Sequence, residues 1–172
     1  MEKKDLLKDV IKHIDIKSYN STELVDAMRN MSFTSRDTAR AADILMMMCK
    51  EKECTNILTL AGSTSAAGCM QVYVDMVRNK MIDVVVATGA SIIDMDLFEA
   101  LGYKHYIGEK ENVIPDTTLR DLYIDRIYDT YIDEEELQAC DHSTYELANM
   151  LEARPYSSRE FIYEIGKWLH EG

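Results

Sequence analysis

Two short stretches concentrate the groups able to hold a phosphorylated ligand. The first, Gly62-Ser63-Thr64-Ser65-Ala66-Ala67-Gly68, sets hydroxyls between two glycines, and the second, Thr88-Gly89-Ala90-Ser91, sets hydroxyls around one. Small residues let a ligand approach the backbone, and free N–H groups beside hydroxyls suit a phosphate or a ribose. The spacing is not the dinucleotide pattern GxGxxG, so a second reading stands beside the first: the glycines make tight turns and nothing more. Asp94 and Asp96 follow the second stretch, where Asp94 is also placed to cap a helix.

Both stretches follow apolar, β-branched runs, Ile57 to Ala61 and Ile82 to Ala87, and each opens into a helical pattern. Strand, small-residue loop and helix, twice over, predict an α/β fold with a Rossmann-like parallel sheet and helical crossovers. Sheets of this kind bind ligands where strand C-termini meet helix N-termini, and both loops are expected on that edge.

The flanking chain supplies helices. Leu6, Leu7, Val10, Ile11 and Ile14 make one apolar stripe, which predicts an amphipathic helix over Lys3 to Ile14. Asn20 with Glu23, and Thr34 with Asp37, read as start signals for two further helices, the latter running to about Glu51. Arg36 is read either as a partner of Asp37 or Asp43 or as a contact to an anion. A helical arm over 1–52 and a nucleotide-binding portion over 53–172 are expected to form one structural unit.

His105, beside Tyr103 and Tyr106, reads as a structural hydrogen-bonding residue. Glu109 to Asp116 reads as a loop, and Arg126 to Ile132 alternates like a strand. The acids Asp133 to Glu136 precede a helical stretch and suit its positive end. Ser157 with Glu160 makes a capping box for a last helix that places Phe161, Ile165, Trp168 and Leu169 on one face.

The net charge of −12, from 31 acidic and 19 basic residues, disfavours nucleic acid, whose phosphates need a basic face. The 4 cysteines show no CxxC spacing, and Cys49 and Cys69 are expected in apolar, buried settings. No metal site is expected, His142 beside Asp141 being too isolated for one. The charged start MEKKDLLKDV lacks a signal peptide's apolar centre, and no run approaches the ~18 apolar residues of a membrane span. A soluble, cytoplasmic protein without membrane contact is expected.

LAGSTSAAG, MVRNKMIDVVVATGASIIDMDLFEALG and HYIG together resemble the deoxyhypusine synthase family, especially its bacterial and archaeal deoxyhypusine synthase-like branch. HIDIKSYNSTELVDAM, MSFTSRDTARAADIL, LRDLYIDRIYDTYIDEEEL and RPYSSREFIYEIGKWL extend the resemblance over nearly the whole chain. It implies half of a deoxyhypusine synthase fold, in members that use NAD to oxidise spermidine. They carry its aminobutyl group on an active-site lysine to a protein lysine or to putrescine.

The resemblance implies NAD contacts from Gly62, Ser63, Ser65, Gly68, Thr88, Gly89, Ala90 and Ser91, and polyamine contact from Asp94 or Asp96. The second loop is one residue longer than the common family version, which leaves the choice between the two acids open. The family's glycine-rich motif with its nucleophilic lysine has no counterpart before Gly172, so the chain resembles the amino-terminal half and its catalytic residue is unassigned. Implied partners are a polyamine and either further copies of the chain or a chain carrying the second half. Two other readings are a half-length paralogue that binds and regulates a full-length enzyme without catalysing, and an independent nucleotide-binding domain.

Overall fold

The computed structural model describes residues 1–109 and 113–171, so part of the loop expected over Glu109 to Asp116 lies outside the described residues, as does Gly172. The chain divides into two compact units, one of residues 1–12, 61–68 and 88–172, the other of 13–60 and 69–87. In chain order the elements are α1 (Lys3–Leu6), α2 (Thr22–Met28), α3 (Phe33–Lys50), β1 (Ile57–Leu60), α4 (Met70–Arg78) and β2 (Val84–Ala87). Then follow α5 (Gly89–Ser91), α6 (Phe98–Ala100), β3 (His105–Ile107), α7 (Asp116–Asp121), β4 (Ile124–Ile127), β5 (Thr130–Asp133), α8 (Glu134–Met150) and α9 (Ser158–Glu171). Ile92–Leu97, between α5 and α6, is wound as a π-helix.

In the second unit β1 and β2 pair in parallel, from Ile57 opposite Val84 to Leu60 opposite Ala87. Antiparallel neighbours can be joined by a tight turn, whereas parallel ones need a crossover, and α4 lies in the chain between them. Asn56 ties the strand entrances together: its backbone N–H donates to the Asp83 carboxylate at 2.8 Å and its side-chain amide to the Met81 carbonyl at 3.0 Å. Lys17 pairs with buried Asp75 at 2.7 Å. On α3, Asp43 pairs with Arg29 rather than Arg36.

The first unit is built on an antiparallel sheet in the order β3-β5-β4. Leu97, Phe98, Ile132, Cys140, Leu147 and Ile165 form its main apolar core, with Phe161, Trp168 and Leu169 packed against it, so α9 docks by the face its periodicity marks. Burial pushes the Cys140 thiol up to about 11, with Asp141 and Asp94 adding to the effect. Ser157 and Glu160 close the expected capping box, the Glu160 N–H reaching the Ser157 hydroxyl at 3.2 Å. Asp133 caps α8 by accepting from the Glu135 and Glu136 N–H groups.

The amino-terminal segment departs from its helical pattern. Helix α1 ends at Leu6, and the following residues join the sheet edge: the Ile11 N–H donates to the His105 carbonyl at 2.8 Å and Val10 bridges Tyr106. Inter-strand hydrogen bonds with β3 override a local propensity that favours only a weak prior. Asn20 accepts from the Thr22 N–H at 3.0 Å, but Ser21 occupies the cap position of α2. Ser32, not Thr34, precedes α3. Cys49 is exposed, not buried.

Candidate functional site

The two small-residue loops meet within the first unit. A methyl group on Gly62 would lie 3.6 Å from the Thr88 hydroxyl oxygen and 3.8 Å from the Ala90 methyl, so the loops approach to van der Waals distance. Ser91, 1% exposed, locks them by donating its hydroxyl to the Ala61 carbonyl at 3.3 Å. Its role is therefore to fasten one loop to the other. The Ser63 N–H is held by the Met95 sulfur at 3.1 Å, and the Thr64 hydroxyl donates to the Ala61 carbonyl at 3.1 Å.

Backbone conformation explains the loop composition. Gly68 has φ +91°, and a side chain there would meet the Lys12 carbonyl at 2.9 Å, so both the left-handed turn and the close approach require glycine. Ser63 adopts φ +77°, an uncommon conformation for a residue with a Cβ. On the second loop Thr88 accepts from the Ser91 N–H, while Thr88, Gly89 and Ala90 are exposed and a side chain at Gly89 would meet nothing within 4 Å. The open part of the pair is thus the backbone from Thr88 to Ala90.

Ser65 is 2% exposed and its hydroxyl has no hydrogen-bond partner among the described residues, although buried hydroxyls are usually satisfied. It does not line the adjoining cavity, whereas Ser63 and Thr64 do. Asp94 and Asp96 fall in the π-wound stretch and are half-buried. Burial, then the nearby Asp141 carboxylate, holds Asp94 above the ordinary carboxylate range.

A cavity of about 230 Å³ opens between the first loop and the β4–β5 turn, lined by Gly62 to Thr64, Ala66 and Ala67 on one wall and Ile127 to Thr130 on the other. Sequence reasoning missed this second wall. The alternation over Arg126 to Ile132 reads as one strand, but the chain turns at Tyr128-Asp129 between β4 and β5; the turn lacks the glycine that marks a two-residue hairpin, and nothing local tells which loop it will face.

A second cavity, about 750 Å³, lies apart from the glycine loops and is lined by Arg120, Tyr123, Asp125, Glu134 and Gln138 among others. There the hydrogen bond to Glu134, then burial, pushes Asp125 up to about 6, while Glu134 is held low by the same bond. His105, also outside the loops, is buried with Nδ1 2.6 Å from the Glu99 carboxylate and its ring against Phe98, which makes it a structural residue. His142 lies 3.6 Å from Glu146, and among the described residues no group of three His, Cys, Asp or Glu is placed to hold a metal. No helix among them is long and apolar enough to cross a membrane.

Comparison with known proteins matches residues 23–172 to the family model for deoxyhypusine synthase. The deoxyhypusine synthase-like protein of Caulobacter vibrioides is 64% identical over 171 residues, 99% of this chain and 46% of that protein. The protein of the same description from Coxiella burnetii is 58% identical over 170 residues, 99% of this chain and 48% of its own length. The probable deoxyhypusine synthase 2 of Methanosarcina acetivorans is 37% identical over 156 residues, 91% of this chain and 44% of its own. The chain spans about half the length of the relatives it matches.

Proposed function

The chain belongs to the deoxyhypusine synthase family, and from that premise we propose that it is the NAD-binding half of a transferase that moves the aminobutyl group of spermidine to a protein lysine or an amine acceptor. The observation that carries this reading is the closure of two small-residue loops on each other, Gly62 against Thr88 and Ala90. Gly62 and Gly68 keep the first loop close to the backbone, Ser91 fixes the second against it, and Thr88, Gly89 and Ala90 leave open backbone for a pyrophosphate or ribose to approach. Ser63 takes part from the cavity wall, and the enclosed, unpartnered Ser65 hydroxyl is a donor in reserve. NAD, when bound, supplies a hydride acceptor for amine oxidation.

Asp94 and Asp96 are the carboxylates assigned to the polyamine. An arriving ammonium favours the ionised carboxylate, opposing the burial that raises Asp94. No lysine of this chain lies in a glycine-rich motif, and a lysine nucleophile needs a desolvated or cation-flanked setting. We therefore assign the nucleophile to the family's second half, whether that half continues this polypeptide or belongs to another. The exposure of Val84, Val85 and Val86 supports such a partner, because parallel strands are ordinarily covered on both faces.

Titration with NAD tests the site: the folded wild-type chain binds, and Gly89→Val weakens binding by filling the open backbone. Ser65→Ala removes an unsatisfied buried hydroxyl, so it leaves the free protein as stable or more so while lowering NAD affinity. Unchanged affinity in both variants would remove the site. With NAD and labelled spermidine, the isolated chain acquires no aminobutyl-lysine by mass spectrometry, and a polypeptide bearing the second half restores transfer. An adduct on the isolated chain would return the nucleophile to this half; failure of the second polypeptide to restore transfer would favour a non-catalytic, regulatory paralogue.

A further inference from the structure

We propose that the β4–β5 turn is the second wall of a ribose subsite and that Asp129 sets the choice of NAD over its 2′-phosphorylated form. The inference rests on the cofactor reading above and extends it to a residue outside both glycine loops. The cavity between the first loop and the turn is about 230 Å³, below the roughly 300–1,000 Å³ of pockets that hold a whole drug-sized ligand. It suits one ring of a dinucleotide.

Among the described residues its lining is small or neutral with a single exception, the charged Asp129. Hydroxyls stand nearby on Ser63, Thr64 and Thr130. A carboxylate among neutral groups accepts the two hydroxyls of a ribose and repels a phosphate at the same place, as the acidic residue of dinucleotide-binding folds does.

The turn is held in place, as a discriminating residue requires. The Gly108 N–H donates to the Asp129 carbonyl at 2.7 Å, continuing the β3–β5 ladder. Arg126 donates to the Tyr128 carbonyl at 3.2 Å and is itself anchored on Asp116 at 2.6 Å. Tyr128 has φ +55° at the first turn position, where a two-residue hairpin favours glycine. A side chain kept in a left-handed conformation points to use of that position rather than to folding need. At 73% exposed, Tyr128 packs little of its own surface and is available to a ligand at the cavity.

Calorimetric titration of the full chain with NAD and with NADP tests the assignment, using Asp129→Asn and Asp129→Ser, both compatible with a turn. The wild type is expected to prefer NAD by roughly tenfold or more. Either variant brings that ratio to within about threefold, mainly by weakening NAD and sparing NADP, with an unchanged melting temperature. Tyr128→Gly is expected to raise the melting temperature and weaken both nucleotides. A wild type that does not discriminate, or a ratio retained in both Asp129 variants, overturns the proposal while leaving the cofactor site intact. Absence of NAD binding to the folded wild type overturns the cofactor reading, and this one with it.

Discussion

At the scale of single residues, charge and burial make distinguishable demands. Asp125 and Glu134 titrate as a pair: their hydrogen bond and burial raise Asp125 to about 6, and the same bond depresses Glu134. A raised carboxyl means the folded state binds the proton more tightly than the unfolded one, so this contribution is complete below the unfolded value near 3.9 and is lost as pH rises through about 6. Glu134 acts oppositely, its contribution being lost as pH falls through its depressed value. The urea midpoint of the wild type is expected to fall between about pH 4 and pH 6.5 through Asp125. Asp125→Asn, which still donates to Glu134, should flatten that slope; an identical slope would show that the proton resides elsewhere. Hydroxyls were less legible than charges. The serines of both loops read alike as ligand donors, yet the Ser91 hydroxyl donates to the Ala61 carbonyl and the Ser65 hydroxyl is enclosed, because a sequence lists donors without saying which way they face.

At the scale of elements, legibility followed the range of the interactions that decide each one. The β-branched runs of β1 and β2, the acidic start of α8 and the Ser157–Glu160 box were readable because neighbours in sequence determine them. The segment after α1 was not: Val10 and Ile11 fit a helical stripe, yet hydrogen bonds to residues almost a hundred positions away hold them extended. The same limit hid the β4–β5 turn from the reading of the site. Gly68 joins the local and distant constraints, and two substitutions separate them. Gly68→Ala incurs the left-handed backbone penalty of roughly 1–2 kcal/mol together with the contact on the Lys12 carbonyl. Gly102→Ala, at φ +103° with nothing within 4 Å, incurs the backbone penalty alone. Gly68→Ala should therefore lower the denaturation midpoint further; equal losses would show that the segment around Lys12 yields freely.

At the scale of the molecule, many large apolar side chains stand exposed. Phe33 is 90% exposed, Met46 and Met47 lie open on α3, and Val84 to Val86 are open on β2. Trp168, by contrast, is partly buried against the core of its own unit. Exposed contiguous apolar surface marks interfaces, so the protein is expected to associate. Sedimentation velocity should show species heavier than a monomer at micromolar concentration, with Val85→Lys shifting the distribution towards monomer. A clean monomer throughout that range would count against association between copies, leaving the family's second half, in this polypeptide or another, to cover the strands.

If the second loop is one residue longer than the common family version, the π-wound turns at Ile92–Leu97 are where the chain can take up the difference. A π-helix takes one more residue per hydrogen-bonded turn than an α-helix, so an inserted residue can be absorbed there without moving what precedes or follows it. An alignment that opens its gap in the preceding loop displaces every position from the gap to the bulge by one. Asp94 and Asp96 lie within that interval, so which acid inherits a role depends on where the extra residue is placed. Placed inside the helix, such a gap would let Thr88 to Ser91 on one side and Phe98 to Ala100 on the other keep their correspondence.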